Sequence, residues 1–87
     1  MKDEQNKAAA LRYRAGIDTA PSIVAKGRGL VAEKILALAR ERGIPIKEDR
    51  NMVEVLSTLN LYEEIPAELY KAVAEILAFI YKTSGKL

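Results

Sequence analysis

Between Pro21 and Gly27 lies a run of five residues, Ser22-Ile23-Val24-Ala25-Lys26, and directly behind it the apolar residues change their spacing. The run is short, β-branched at its centre and bracketed by turn formers, which predicts a buried strand. From residue 31 onward, Val31, Ile35, Leu38 and Ala39 recur at i, i+4, i+7 and i+8, with Glu33, Lys34, Arg40 and Glu41 on the remaining surface. That is the period of an amphipathic helix. A switch from strand to helix period across one glycine turn points the chain toward α/β architectures.

The other elements are read outward from this unit. Ala8 to Tyr13 reads as a strand, although its three alanines suit a helix equally well. Arg14 to Pro21 carries Gly16, Asp18 and Pro21 and reads as a loop. Gly43 after Arg42 stops the first helix, and Ile44-Pro45-Ile46-Lys47 reads as a short strand, with Pro45 pointing to an edge or to the strand's first residues. Asp49 is placed to cap a second helix over about residues 50–59, with Met52, Val55, Leu56 and Leu59 on one side. A third helix opens with Pro66 at its first position and Glu68 in its first turn, and closes with Lys82 in its last. Its apolar stripe is Leu69, Val73, Ile76, Leu77 and Ile80. Residues 1–7 form a polar leader, 84–87 a tail, and 8–83 the domain. The expected fold is α/β, a small sheet of about three to four strands with about three to four helices packed around it, and a right-handed crossover through the first helix.

Composition removes several classes of function. The 87 residues suffice for one domain, and 49% are hydrophobic, enough for a core without staples. There is no cysteine and no histidine. Thiolate chemistry, disulfides, the usual zinc ligands and the commonest general base are therefore absent. Glu63 and Glu64 adjoin each other in a turn without a base or metal ligand beside them, so no catalytic residue, metal site or cofactor is assigned. A net charge of +2 is too small to argue for nucleic acid. The cations Lys26, Arg28, Lys34, Arg40, Arg42, Lys47 and Arg50 alternate with Glu33, Glu41, Glu48 and Asp49, as on a solvated face. The late aromatics Tyr62, Tyr70, Phe79 and Tyr81 read as helix-surface packing rather than a base-stacking platform. No apolar run approaches the ~20 residues of a membrane span, and no signal core is visible. A soluble, cytoplasmic monomer without membrane insertion is expected.

Gly27-Arg28-Gly29-Leu30-Val31-Ala32 fits G-x-G-x-x-A after a predicted strand, with Glu48 about 20 residues on, as a dinucleotide site requires. One such unit in a chain of this size cannot supply both mononucleotide halves, and Lys26 and Arg28 interrupt the apolar turn. A structural turn outweighs a nucleotide site. A small nucleotide- or nucleic-acid-binding α/β domain is the alternative function.

Four stretches together carry a family likeness: "AALRY", "APSIVAKGRGLVAEKI", "RGIPIKED" and "EIPAELYKAVAEILAFIYK". They resemble the C-terminal cytoplasmic domain of the FlhB/YscU family, the substrate-specificity switch proteins of flagellar and virulence type III secretion. The blocks Ala20–Leu30 and Ile65–Glu75 are the specific ones. The resemblance implies a non-catalytic module of the protein export apparatus. Its partners would be export substrates, export-gate proteins or a membrane-bound FlhB fragment whose cleaved C-terminal half it replaces. Family members cleave themselves between Asn and Pro in an Asn-Pro-Thr-His loop. By ungapped counting from Leu11, that loop falls on Asp3-Glu4-Gln5-Asn6, where no residue agrees. The expectation is a chain that does not cleave itself and that resembles the post-cleavage fragment, without the strand that precedes the loop. The resemblance also places a substrate-docking surface on Ala20, Pro21, Ala74 and Leu77. Core packing is the competing reading for Leu77, which lies on the main apolar stripe.

Overall fold

The computed structural model describes residues 6–84, with side-chain surroundings as far as Ala78. Residues 1–5, which hold most of the leader and of the expected cleavage-loop positions, lie outside the described residues. So do the tail beyond Ser84 and the side chains of Phe79, Ile80, Tyr81 and Lys82.

The chain runs β1 (Lys7–Arg12), β2 (Ser22–Arg28), α1 (Leu30–Glu41), α2 (Arg50–Leu56), a 3₁₀ turn (Ala67–Leu69) and α3 (Tyr70–Ser84). β1 and β2 pair antiparallel, with Lys7 opposite Arg28, Ala10 opposite Ala25 and Leu11 opposite Ile23. The register shifts between Ala10 and Leu11, leaving Val24 as the extra residue of a bulge. The two strands form a two-stranded ribbon with helices on both faces.

Side-chain alternation along the ribbon separates those faces. On one side Ile23, Leu56, Ile65 and Val73 form the core, with Ala9, Leu11, Met52, Leu59, Leu69 and Leu77 packed against it. Ile23 and Val73 are 0% and 1% exposed, and each is worth ~1.5–3 kcal/mol of burial. Ala8 and Ala10 point to the other side, where α1 crosses both strands. Small residues are what lets that helix lie close. A Cβ added to Gly27 would sit 2.2 Å from Val31 Cγ1. The alanines that made β1 ambiguous as a sequence are thus the floor on which α1 rests.

This close approach corrects the expected helix face. Ala32 is fully buried, and Ile35, Leu36 and Ala39 continue its stripe as half-buried residues, whereas Val31 and Leu38 are exposed. The inward stripe is shifted by one residue, because the floor accepts alanine where a wider ribbon would accept valine or leucine.

Helix ends follow local chemistry. Asp49 Oδ1 accepts the Met52 N–H at 3.0 Å, capping α2 as expected. α2 is shorter than predicted, ending at Leu56, and Val55 is exposed. At the end of α1, Ile44 N–H donates to Ala39 O (2.8 Å) and Gly43 N–H to Arg40 O (3.2 Å), with Gly43 at φ 69°. This is a Schellman ending. It corrects the strand expected at Ile44–Lys47. The motif turns the chain away, Pro45 has no N–H to donate, and residues 44–47 are all exposed. The βαβ crossover goes with it, since no parallel strand follows α1 among the described residues.

The sheet therefore has two strands rather than three to four, though a third segment lies beside it. Tyr62 N–H donates to Ile23 O, Ile23 N–H to Glu63 O and Ile65 N–H to Pro21 O, at 2.5, 3.0 and 3.0 Å. Only one bridge, Ser22 to Glu64, is formed. The segment is too short to count as a strand because Tyr62 enters it at φ 67° and Pro66 ends it. Pro66 is not the first residue of α3. It is extended (ψ 156°) and caps the 3₁₀ turn, where its carbonyl accepts the Leu69 N–H at 2.9 Å.

Candidate docking groove

The third segment brings the two ends of the expected docking surface together. Its bond from Ile65 N–H to Pro21 O fixes the Ala20-Pro21 dipeptide beside the residues that lead into α3. On α3, Tyr70, Val73, Ala74 and Leu77 fall at i, i+3, i+4 and i+7 and so share one face. Between that face and the dipeptide lies a shallow groove of about 270 Å³. Ala20, Pro21, Ala74 and Leu77 all line it, as do Ile65 and Val73 at its base and Tyr13, Thr19 and Tyr70 at its rim.

The four residues differ in what they can offer a ligand. Ala20 and Pro21 are buried, so Pro21 is a wall held by the backbone rather than an exposed loop residue. Ala74 is exposed, and its methyl leaves the opening that a larger side chain would fill. Leu77 is half-buried, and it both packs against the core and lines the groove. The lining is apolar. The lining residues with polar side chains are Tyr13, Thr19 and Tyr70, and Thr19 Oγ1 donates to Glu64 Oε2 at 3.3 Å. The volume is below the ~300–1,000 Å³ typical of small-molecule sites and suits one or two apolar side chains.

The rim is built by a turn between β1 and β2. Arg14 O accepts the N–H groups of Ile17 (3.0 Å) and Asp18 (2.8 Å). In return the Asp18 carboxylate accepts from Arg14 N–H (2.8 Å), Nε (3.1 Å) and Nη2 (2.8 Å). These side-chain hydrogen bonds, chiefly, lower the Asp18 carboxyl from 3.8 to about 2. The same pair raises the Arg14 guanidinium.

The glycine turn offers less than its pattern suggests. Gly29 N–H, at the start of α1, is taken by Asn6 O at 2.8 Å, and the space over Gly27 is filled by Val31. Lys26, expected on a solvated face, is half-buried instead. Its Nζ donates to the carbonyls of Ser57 (3.1 Å) and Leu59 (2.5 Å), where it closes the end of α2. Among the described residues no three acidic side chains gather as a metal site would need. No described helix is long and apolar enough to cross a membrane.

Tyr13, Thr19, Ile65, Tyr70 and Val73 were not assigned to the surface from sequence. Tyr70 and Val73 carry a signal, one helical turn and one residue before Ala74. Tyr13 and Thr19 carry none, because only the folded turn brings them to the rim.

Comparison with known proteins agrees with this architecture. The family described as FlhB HrpN YscU SpaS Family matches residues 5–80. The chain belongs to that family. It is 47% identical over 84 residues to the uncharacterized protein YlqH of Bacillus subtilis, covering 94% of this chain and 90% of YlqH. It is 39% identical over 74 residues to the flagellar biosynthetic protein FlhB of Aquifex aeolicus, covering 84% of this chain but only 21% of that one. The chain thus spans about a fifth of an FlhB protein and nearly all of YlqH. Among solved structures, the C-terminal domain of PscU superposes with a TM-score of 0.81 at 31% identity, covering 85% of this chain and 95% of that domain. An EscU C-terminal domain gives 0.82 at 24% identity, which bears on the fold alone. The FlhB/YscU-type fold is therefore the fold of this chain, and its family is that of the flagellar and type III export apparatus.

Proposed function

We propose that this FlhB-family chain is a non-catalytic, cytoplasmic binding module of the export system. In this reading, it takes an apolar segment of an export substrate into the groove between Ala20-Pro21 and α3. The observation that carries the reading is the convergence of Ala20, Pro21, Ala74 and Leu77 on one apolar opening. Small side chains at Ala20 and Ala74 leave room for a partner's anchor residue, and apolar walls favour an aliphatic or aromatic one. The lack of histidine and cysteine supports a binding role over a catalytic one.

Ala74→Glu is the decisive variant. It stands on an exposed helix position, suits a helix and places a charge in the groove, so folding is spared while docking is not. Binding of a purified rod or hook subunit from the encoding organism should weaken tenfold or more, with an unchanged melting temperature. Equal affinity of wild type and Ala74→Glu for that subunit would remove the groove from the account. Tight binding to a purified export-gate protein instead, sensitive to Ala74→Glu, would reassign the occupant and keep the site.

A second reading concerns the ribbon edge. Among the described residues β1 pairs only with β2, so its outer backbone groups face no neighbouring strand. That edge suits a strand from a membrane-bound FlhB fragment, whose lost C-terminal half this chain would replace. Co-expression with FlhB truncated at its cleavage site should give a complex that survives purification, and its absence would count against replacement.

A further inference from the structure

α1 carries two apolar stripes, and the ribbon uses one of them. Ala32, Leu36 and Ala39 lie toward the alanine floor, Ala32 fully buried and the other two half-buried. Val31 and Leu38 stand roughly 100–120° further round the helix, with half-buried Ile35 between them and the floor. Val31 is 53% exposed and Leu38 47%. A lone exposed aliphatic residue is ordinary on a protein surface. These residues are not scattered. The steps from Val31 to Ile35 and from Ile35 to Leu38 are four and three residues, the spacing of a coiled-coil seam that packs against a second helix.

The charges beside the seam select the helix that fits it. Lys34 and Glu41, seven residues apart, run along its outer border. Both are exposed, and neither forms an ion pair among the described residues. Turned end for end about the middle of α1, the same helix sets Ile35 against the partner's Leu38 and Leu38 against the partner's Ile35. Lys34 then meets the partner's Glu41, and Glu41 the partner's Lys34, so both charges are answered by this sequence alone. A parallel pair would instead bring each charge level with its own kind. None of these residues lines the groove between Ala20-Pro21 and α3.

We propose that α1 is the contact of a weak, two-fold symmetric dimer, in which the Val31–Ile35–Leu38 seams of two copies pack antiparallel and Lys34 pairs with the partner's Glu41. The same patch serves both copies, as a closed two-fold interface requires. α1 has 12 residues and is therefore ~18 Å long. Three apolar residues from each copy bury less than the ~1,200–2,000 Å² of stable complexes. Association in the range of ~0.1–1 mM follows from so small a contact. The monomer expected from the sequence is then the state of the dilute chain. The pairing does not depend on what occupies the groove.

The test is sedimentation equilibrium of the 87-residue chain. Between about 10 μM and about 2 mM its average mass should rise from monomer toward dimer. Leu38→Glu puts a charge on the seam at an exposed helix position, and it should weaken association about tenfold or more while leaving the melting temperature of the dilute chain unchanged. The charge pairing is tested by reversal. Lys34→Glu alone sets two acidic residues together at each end of the contact, and Glu41→Lys alone sets two basic ones. Each variant should self-associate about fivefold or more weakly than wild type at low salt. An equimolar mixture of the two should associate at least as tightly as wild type, because each end then pairs opposite charges. The double variant Lys34→Glu/Glu41→Lys should likewise return to wild-type association. A contact elsewhere on the molecule, or a parallel pairing, predicts no such rescue. A wild type that stays monomeric at about 2 mM overturns the dimer. So does Leu38→Glu associating as wild type does, or a mixture no tighter than its two components.

Discussion

Gly27→Ala tests the packing that holds α1 on the ribbon. The added Cβ would stand 2.2 Å from Val31 Cγ1 and 2.8 Å from Val31 Cβ, both closer than real contacts allow. Val31 is 53% exposed, so solvent gives it room to move. A valine in a helix nevertheless has one strongly preferred rotamer, and rotation relieves Cγ1 without relieving Cβ. Part of the correction must come from a shift of α1 itself. Overpacking of this kind costs ~1–3 kcal/mol. For a domain of this size, ~2 kcal/mol lowers the melting temperature by roughly 10 °C. Val31→Ala alone should cost under ~1 kcal/mol, as expected of an exposed position. In Gly27→Ala/Val31→Ala the Cγ1 clash is gone and the 2.8 Å contact remains, so about half the loss should return. Urea unfolding of the four proteins gives a double-mutant cycle with ~1 kcal/mol of coupling. Wild-type stability in Gly27→Ala, or a cycle without coupling, would refute the close approach. The outcome also bears on the glycine motif, since a glycine that leaves room for a helix side chain has no room to lend to a pyrophosphate.

Asp49→Ala removes the carboxylate that accepts the Met52 N–H, and α2 has only 7 residues over which to absorb the loss. Destabilisation of ~1 kcal/mol in urea is expected, and wild-type stability would show that the cap is idle. The Asp18 carboxyl is lowered from 3.8 to about 2 in the folded chain, so its contribution to stability is complete above about pH 4 and disappears as pH falls through 2. Melting of Asp18→Asn should therefore change less than that of wild type between pH 4 and 2, and identical pH dependence would contradict the pairing.

Where local chemistry settled a segment, the sequence was legible. Asp49 capped α2, Gly43 ended α1, and the run after Pro21 formed a strand. Readings failed where a second element decided the matter. The apolar period of α1 allowed either of two neighbouring stripes, and the alanine floor of the ribbon selected the one through Ala32. Ile44-Pro45-Ile46 has strand composition, yet a strand needs a neighbour. The Schellman bonds direct these residues away from the only sheet among those described. Charge patterning groups Lys26 with the solvated cations because it does not report which face of a strand a residue occupies. Opposite Ala9 it faces the core side, where the carbonyls at the end of α2 provide its partners.

The groove was legible in part for a related reason. Ala74 and Leu77 follow from helical spacing together with the family likeness, and Ala20-Pro21 from the likeness alone. What joins them is the bond between Ile65 N–H and Pro21 O, a contact across more than forty residues that no local pattern reports. The blocks that carry the likeness prove to be packing determinants as well. Gly27 makes room for α1, Ile23 and Val73 are fully buried, and Ile65 anchors the entry to α3. The outward faces of those same blocks make the groove, with Pro21 two residues from Ile23 and Ala74 beside Val73. A surface formed this way inherits its shape from the core. If the groove docks a partner as proposed, changing the exposed Ala74 should alter recognition alone, whereas changing Pro21 or Leu77 should disturb fold and recognition together, and that difference separates an informative variant from an ambiguous one.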